Sequence, residues 1–408
     1  MLRHASGRWI TGLLLPLIAV ALPLHGGGSS RGDLVYVSTD DGVAIVDSAT
    51  GSSTLDAKHA MPSGDWSRVI GTHHARHGTL VESIDPTGVE PVVRQKLDGN
   101  LRVRAVSHEG DLIALMPRDP EHYGNDGVYA PARRESTRIV VTTFDGRDPR
   151  PFDLDANVEP EAFSVDGTAL FVIQYLPPMD PDRYRVRRLD LATGDLGDVF
   201  THDKLIQGNM RGLAFDQAAA PDGTKLYTLY QKYTGETFVH LLDLQNQTAQ
   251  CVLLPNSFGG HAADMAITAR PDGAVFVVDP IVHEIAELDP VRHGVAQTRK
   301  YDAPKGDGPV VATATGDAIF VARGDEIAEL GEPGLAPANR WSFDSDVEAI
   351  HVSADRILYI AVRDRLIAIT LAGESSTLDP LLDLEVDGIS GIGESLPVTS
   401  KNTVQCAC

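Results

Sequence analysis

Pro221-Asp222-Gly223 stands just ahead of the β-rich run Leu226-Tyr227-Thr228-Leu229, and Pro271-Asp272-Gly273 stands in the same way ahead of Val275-Phe276-Val277-Val278. In both places glycine supplies a positive φ angle at no steric cost, and a strand-forming run follows. One such unit cannot bury its own apolar faces, whereas a ring of them shares a core. The repeat therefore predicts an all-β fold, a β-propeller of four-stranded blades.

The first apolar residue after each turn is Leu34, Val69, Leu112, Leu170, Leu226, Val275, Ile319 and Leu358. Their spacings, about 35–58 residues, mostly suit one blade apiece. These runs are read as strand B. Stretches such as Ala162-Phe163-Ser164, Leu213-Ala214-Phe215, Met265-Ala266-Ile267 and Ala349-Ile350-His351 are read as the innermost strand A. Acidic turns after a third run, at Asp47, Asp190 and Asp243, mark the C–D hairpins. A parallel βαβ fold needs a helix of ten or more residues between strands, and the Pro- and Gly-rich connections leave no room for one. Seven blades is the preferred count and eight the alternative. The first unit has no strand A of its own, and the segment Asp387-Gly388-Ile389-Ser390-Gly391-Ile392-Gly393 is expected to supply it, closing the ring by pairing the two chain ends.

With these Pro-Asp-Gly turns and the Ala-Thr-Gly turns at residues 49–51 and 192–194, the chain resembles the secreted YVTN-type propellers over roughly residues 33 to 397. The Tyr-Val-Thr-Asn signature itself is absent, the nearest stretch being Val35-Tyr36-Val37-Ser38. Members of that group are described as surface proteins, lactonase-like enzymes or redox-enzyme subunits, so the resemblance implies a fold more than an activity.

The expected organisation is a signal peptide (residues 1–21), a flexible lead-in (22–32), the propeller (33–397) and a polar tail ending in Cys-Ala-Cys (398–408). Arg3 and Arg8, the apolar stretch Leu13 to Val20 and the small-x-small site Ala19-Val20-Ala21 read as an export signal. Secretion or an extracytoplasmic location follows, with no membrane insertion once the signal is cleaved. The chain carries 57 acidic residues against 35 Lys and Arg, a formal charge of −22, which repels nucleic acid and anionic membranes. Three cysteines are too few to staple a domain of this size; one of Cys406 and Cys408 can pair with Cys251, leaving the other for an intermolecular disulfide.

In a propeller the D–A and B–C connections emerge on one face, and the A–B and C–D turns on the other. Three B–C connections in successive units are long, at residues 117–137, 175–184 and 230–238, and they hold Tyr123, Tyr129, Tyr175, Tyr184, Tyr230 and Tyr233, six of the ten tyrosines. Tyrosine offers a large, rigid contact surface with a polar tip. The D–A connections add Arg104, Glu161, Arg211, His261, Asp264 and Glu348 near the axis, to bind a polar ligand or to seal the channel by pairing with one another. His73, His74 and His77 fall together but lack a companion Cys or carboxylate, so no metal is assigned. Gly-x-Ser-x-Gly, a phosphate loop, His-Glu-x-x-His, Cys-x-x-Cys and the haem-attachment motif are all missing, and no cofactor and no catalytic residue is assigned. The sequence thus points to a non-enzymatic propeller that binds a protein, peptide or glycan on the face carrying the D–A and B–C loops. The second reading is a lactonase-like hydrolase with a charged or metal-containing site at the axial mouth.

Overall fold

The computed structural model describes residues 34–392 except 40–41, 49, 52, 59, 85, 87–92, 119–121, 124–128, 131, 202–209, 290, 309, 354, 363–364, 372–376 and 380–388. The expected signal peptide, lead-in and tail, with Cys406 and Cys408, lie outside the described residues. Eight four-stranded antiparallel sheets follow one another along the chain, numbered here sheets 1 to 8. Seven was the preferred count and eight the alternative. Sheet 5 gains a short parallel edge strand, Phe200–Thr201. A two-stranded hairpin, His122–Tyr123 with Tyr129–Ala130, projects from sheet 3. Among the described residues there is no α-helix, only the 3-10 turns Asn256–Phe258 and Ala262–Asp264.

The second strands are Leu34–Thr39, Val69–Ala75, Leu112–Pro117, Ala169–Leu176, Lys225–Gln231, Val275–Asp279, Ala318–Arg323 and Ile357–Val362. Each starts at, or one residue before, the apolar residue that marked strand B in the sequence. The first strands of sheets 2 to 8 are Ala60–Pro62, Leu101–Val106, Asn157–Phe163, Leu213–Ala219, Ala266–Ala269, Val310–Ala314 and Val347–Val352. In sheet 1 that place is taken by Ile389–Ile392, antiparallel to Leu34–Thr39.

The second strands are apolar on both faces because both faces are covered. Val275–Asp279 is buried at every position and Ala169–Leu176 at all but the last. This explains why these runs are continuous rather than alternating. The fourth strands Gly294–Lys300 and Ala336–Ser342 are largely exposed and correspondingly polar. Apolar clusters lie between consecutive sheets: Phe276, Val278 and Ile285 of sheet 6 meet Ile319, Val321 and Leu330 of sheet 7. Another joins Tyr359 and Ala361 of sheet 8 to Val35 and Val37 of sheet 1. Each fully buried Phe, Ile or Val contributes about 1.5–3 kcal/mol, whereas an exposed ion pair contributes about 0–1 kcal/mol. Apolar packing therefore dominates cohesion between the sheets.

The turn residues act through specific bonds. Asp222 Oδ1 accepts from Thr224 N at 3.0 Å and Thr224 Oγ1 at 2.7 Å. Asp166 does the same for Thr168 in the sheet 4 turn. On the C–D side, Asp190 Oδ1 takes the N–H groups of Ala192 and Thr193, and Asp289 Oδ1 those of Val291 and Arg292. Gly223 and Gly273 sit at φ +68° and +87°. A Cβ on Gly223 would lie 2.4 Å from the His108 ring, whereas one on Gly273 would meet nothing within 4 Å. Gly273→Ala should therefore cost only the backbone strain of a left-handed residue, about 1 kcal/mol, and Gly223→Ala at least about twice that, since His108 must also move. Urea denaturation of the two variants side by side measures the difference.

Candidate functional site

Five first strands carry a register shift opposite the second strand, leaving Arg104, Glu161, Phe215, Glu348 and Ser390 as the extra residues. Bulges re-aim side chains. The charged residues expected in the D–A connections are thus displaced onto the inner strands, at different places round the molecule. Arg104 is buried and bonds Glu159 Oε2 at 3.0 Å; Arg134 reaches Glu159 Oε1 at 2.9 Å, and the Tyr175 hydroxyl donates to Oε2 at 3.1 Å. Glu159 therefore ties sheet 3 to sheet 4 from a fully buried position, an arrangement that is costly to break at any one member. Glu348 is half-buried on the sheet 8 strand.

Glu161, two residues on, has no such company. It is buried, its Oε2 finds no hydrogen-bond partner among the described residues, and burial pushes its carboxyl up to about 7. A raised carboxyl pKa means that the folded state holds its proton more tightly than the unfolded chain. The resulting penalty is absent below about pH 4, grows through pH 4–7 and is complete above about pH 7. Glu161→Gln should accordingly match the wild type near pH 4 and be more stable by up to about 3 kcal/mol at pH 8, as read from urea midpoints at the two pH values.

The tyrosines do not form one platform. Tyr175, Tyr184 and Tyr230 are in the core between sheets 4 and 5, with the Tyr184 and Tyr230 rings 5.8 Å apart and Phe238 stacked on Tyr230 at 5.3 Å. These three positions belong to second and third strands, so the connections are shorter than the sequence suggested and their aromatic ends are structural. Tyr233 is 61% exposed. Tyr123 and Tyr129 pair through their backbones in the projecting hairpin.

Arg211 is exposed and pairs with Asp182 at 3.4 Å. His261 pairs with Asp279, not with Asp264: its Nε2 lies 2.6 Å from Asp279 Oδ2. Asp279 Oδ1 takes the N–H groups of Ile281 and Val282, so the carboxylate is held rigidly and wholly buried. Half-buried Asp264 lies in the 3-10 turn that follows His261. His73 and His74 are on the strand Val69–Ala75 rather than in a loop, and His73 pairs with Glu82 at 2.8 Å. No group of three or more metal-ligating side chains converges among the described residues.

A different place offers enclosed space. A cavity of about 600 Å³ lies between the first strands of sheets 5 to 8 and reaches their A–B turns. Thr268, Thr313 and His351 stand two residues before Arg270, Thr315 and Ser353, whose N–H groups close those turns. They therefore sit at one height on three successive strands, and all three line the cavity. Asp216 lines it further from the turns, on the sheet 5 strand. Its carboxylate accepts from Gln217 N at 2.8 Å and from Ile267 N of the next sheet's first strand at 2.7 Å. Although Asp216 keeps some contact with the cavity, it lies deep in the molecule, and burial pushes its carboxyl up to about 7 against the lowering effect of those two N–H bonds. Burial likewise pushes His351 down to about 3, so its imidazole is neutral at physiological pH. Ile267, Val311 and Ile350 supply apolar wall. Sequence reasoning missed these polar residues; the offset from the A–B turn shared by Thr268, Thr313 and His351 is the signal that could have found those three.

No protein-family model matches the chain. No curated protein matches it. Among solved structures, the dihydro-heme d1 dehydrogenase NirN in complex with DHE aligns with 89% of this chain and 76% of its own at TM-score 0.53 and 16% identity. The Dos1 propeller aligns with 86% of this chain and 89% of its own at TM-score 0.49 and 11% identity. AztD from Citrobacter koseri aligns with 77% and 95% at TM-score 0.42 and 9% identity. At such identities the likeness is one of fold, and the NirN alignment carries it. The chain has a β-propeller fold.

Proposed function

We propose that this chain is an exported, eight-bladed β-propeller that binds a small organic ligand in the cavity between its inner strands, without transforming it. The cavity carries the reading: its volume, about 600 Å³, is that of an ordinary small-molecule site, with apolar walls and a few placed polar groups. Ring closure is supported by the pairing of Ile389–Ile392 with Leu34–Thr39 and by the apolar cluster between blades 8 and 1. Export rests on the features of residues 1–21; among the described residues, no helix is long and apolar enough to cross a membrane.

Ala312 borders the cavity on the blade 7 inner strand and is partly open to it. Ligand-observed NMR with a mixed set of neutral, cationic and anionic small molecules should find binders for the wild type, and Ala312→Trp, by filling the space, should weaken them at least about tenfold. Silence from every compound at millimolar concentration, or binding indifferent to Ala312→Trp, would remove the reading.

A second reading has its own observation. Met179, Tyr233 and Ile281 are exposed apolar side chains on the B–C connections of blades 4, 5 and 6. Apolar groups on neighbouring loops of one face suit docking of a protein, peptide or glycan. Tyr233 remains part of that surface, while Tyr175, Tyr184 and Tyr230 contribute only by holding the blades beneath it.

A further inference from the structure

Three observations bear on what the cavity takes. First, it holds a carboxyl group without a cation. Asp216 has no Lys, Arg or His within ion-pair distance among the described residues; its only bonded neighbours are the backbone N–H groups of Gln217 and Ile267. Those two bonds fix the direction of both oxygens and leave further lone pairs free. Second, the cavity offers acceptors and little that would hold an anion. Its one guanidinium, Arg356, is spent at the turn end on both oxygens of Asp317, at 2.8 and 2.7 Å, with Glu329 nearby at 3.9 Å. The other basic side chain, His351, is neutral. Third, Thr268 and Thr313 are more than nine-tenths buried, yet their hydroxyls have no hydrogen-bond partner among the described residues and are not sealed away from solvent. Buried hydroxyls on a cavity wall ordinarily find a protein or ligand partner.

Ile267, Val311, Ile350 and Ala314 add apolar wall, beside the polar side chains of Gln217, Thr315 and Ser353. An anion entering here would face a carboxyl group with no cation beside it, in a medium of low dielectric constant. A neutral apolar molecule would leave that carboxylate and the two hydroxyls unmatched. A cation on an apolar body satisfies both. The formal charge of −22 adds a long-range attraction for cations.

Resting on the small-ligand reading above, we propose that the cavity is selective for a primary ammonium carried on an apolar body, with the ammonium on Asp216 and the threonine hydroxyls of blades 6 and 7 as further acceptors along the wall. No bond is made or broken. The site discriminates by charge at one end and by shape along the remainder.

Three compounds of nearly one shape separate this from the parent reading: benzylamine, benzyl alcohol and benzoate, each titrated calorimetrically into the wild-type protein and the Asp216→Asn variant. The expected result is that benzylamine binds the wild type at least about tenfold more tightly than benzyl alcohol, with benzoate weakest. In Asp216→Asn the preference for the amine should collapse while benzyl alcohol binding survives, showing that the cavity is intact. Benzyl alcohol or benzoate binding as well as benzylamine would overturn the ammonium assignment and leave the cavity reading standing. So would an amine preference that survives in Asp216→Asn. If none of the three binds, the ammonium assignment falls. The wild-type order of affinities decides the matter even if the variant does not fold.

Discussion

A sheet that is apolar on both faces must be covered on both faces. That constraint governs this chain. Val275–Asp279 has no solvent side at all, and Phe276 and Val278 can be removed from water only by the next blade while Val275 and Val277 are covered by the preceding one. Each blade is thus both a guest and a host, and stability accrues at the junctions rather than within a blade. At about 25 cal/mol per Å² of apolar surface, these junctions outweigh the surface ion pairs that the charged exterior supports.

The same constraint decided how much could be read from the sequence. The second strands were legible because full burial produces unbroken apolar runs, bounded by turns whose glycine and aspartate have specific jobs. The C–D turns were legible through Asp190 and Asp243, whose carboxylates take turn N–H groups. Blade number was less so, because the first unit has no inner strand beside it in sequence and takes it from Ile389–Ile392. The loops misled for a physical reason: Tyr175, Tyr184 and Tyr230 lie at strand ends, where an aromatic residue next to a loop looks the same in sequence whether it faces out or packs inward. Burial depends on the neighbouring blade, which local pattern does not contain. The cavity was invisible for a similar reason. Asp216, Thr268, Thr313 and His351 are isolated polar residues on four separate strands, and only the stacking of blades brings them to one wall.

Buried charge is treated in two ways within two residues. Glu159 is surrounded by Arg104, Arg134 and the Tyr175 hydroxyl, so its desolvation is offset by bonds that cross from blade 3 to blade 4. Glu161 is buried without such bonds, and the protein responds by holding its proton toward neutrality. The bulge at Glu161 is what separates them, since it turns a residue that alternation would have placed beside Glu159's partners into a different environment. Asp216 is intermediate, bonded to backbone N–H groups yet matched to no cation.

Seven of the eight sheets are each built from one contiguous stretch of sequence, whereas sheet 1 takes its inner strand from residues 389–392. Sheets 2 to 8 need only neighbouring sequence to complete their pairing, while sheet 1 needs a strand about 350 residues further along. Its missing partner travels the longest path in the molecule. A chain cut short before residue 389 would leave the Leu34–Thr39 edge of sheet 1 without that partner.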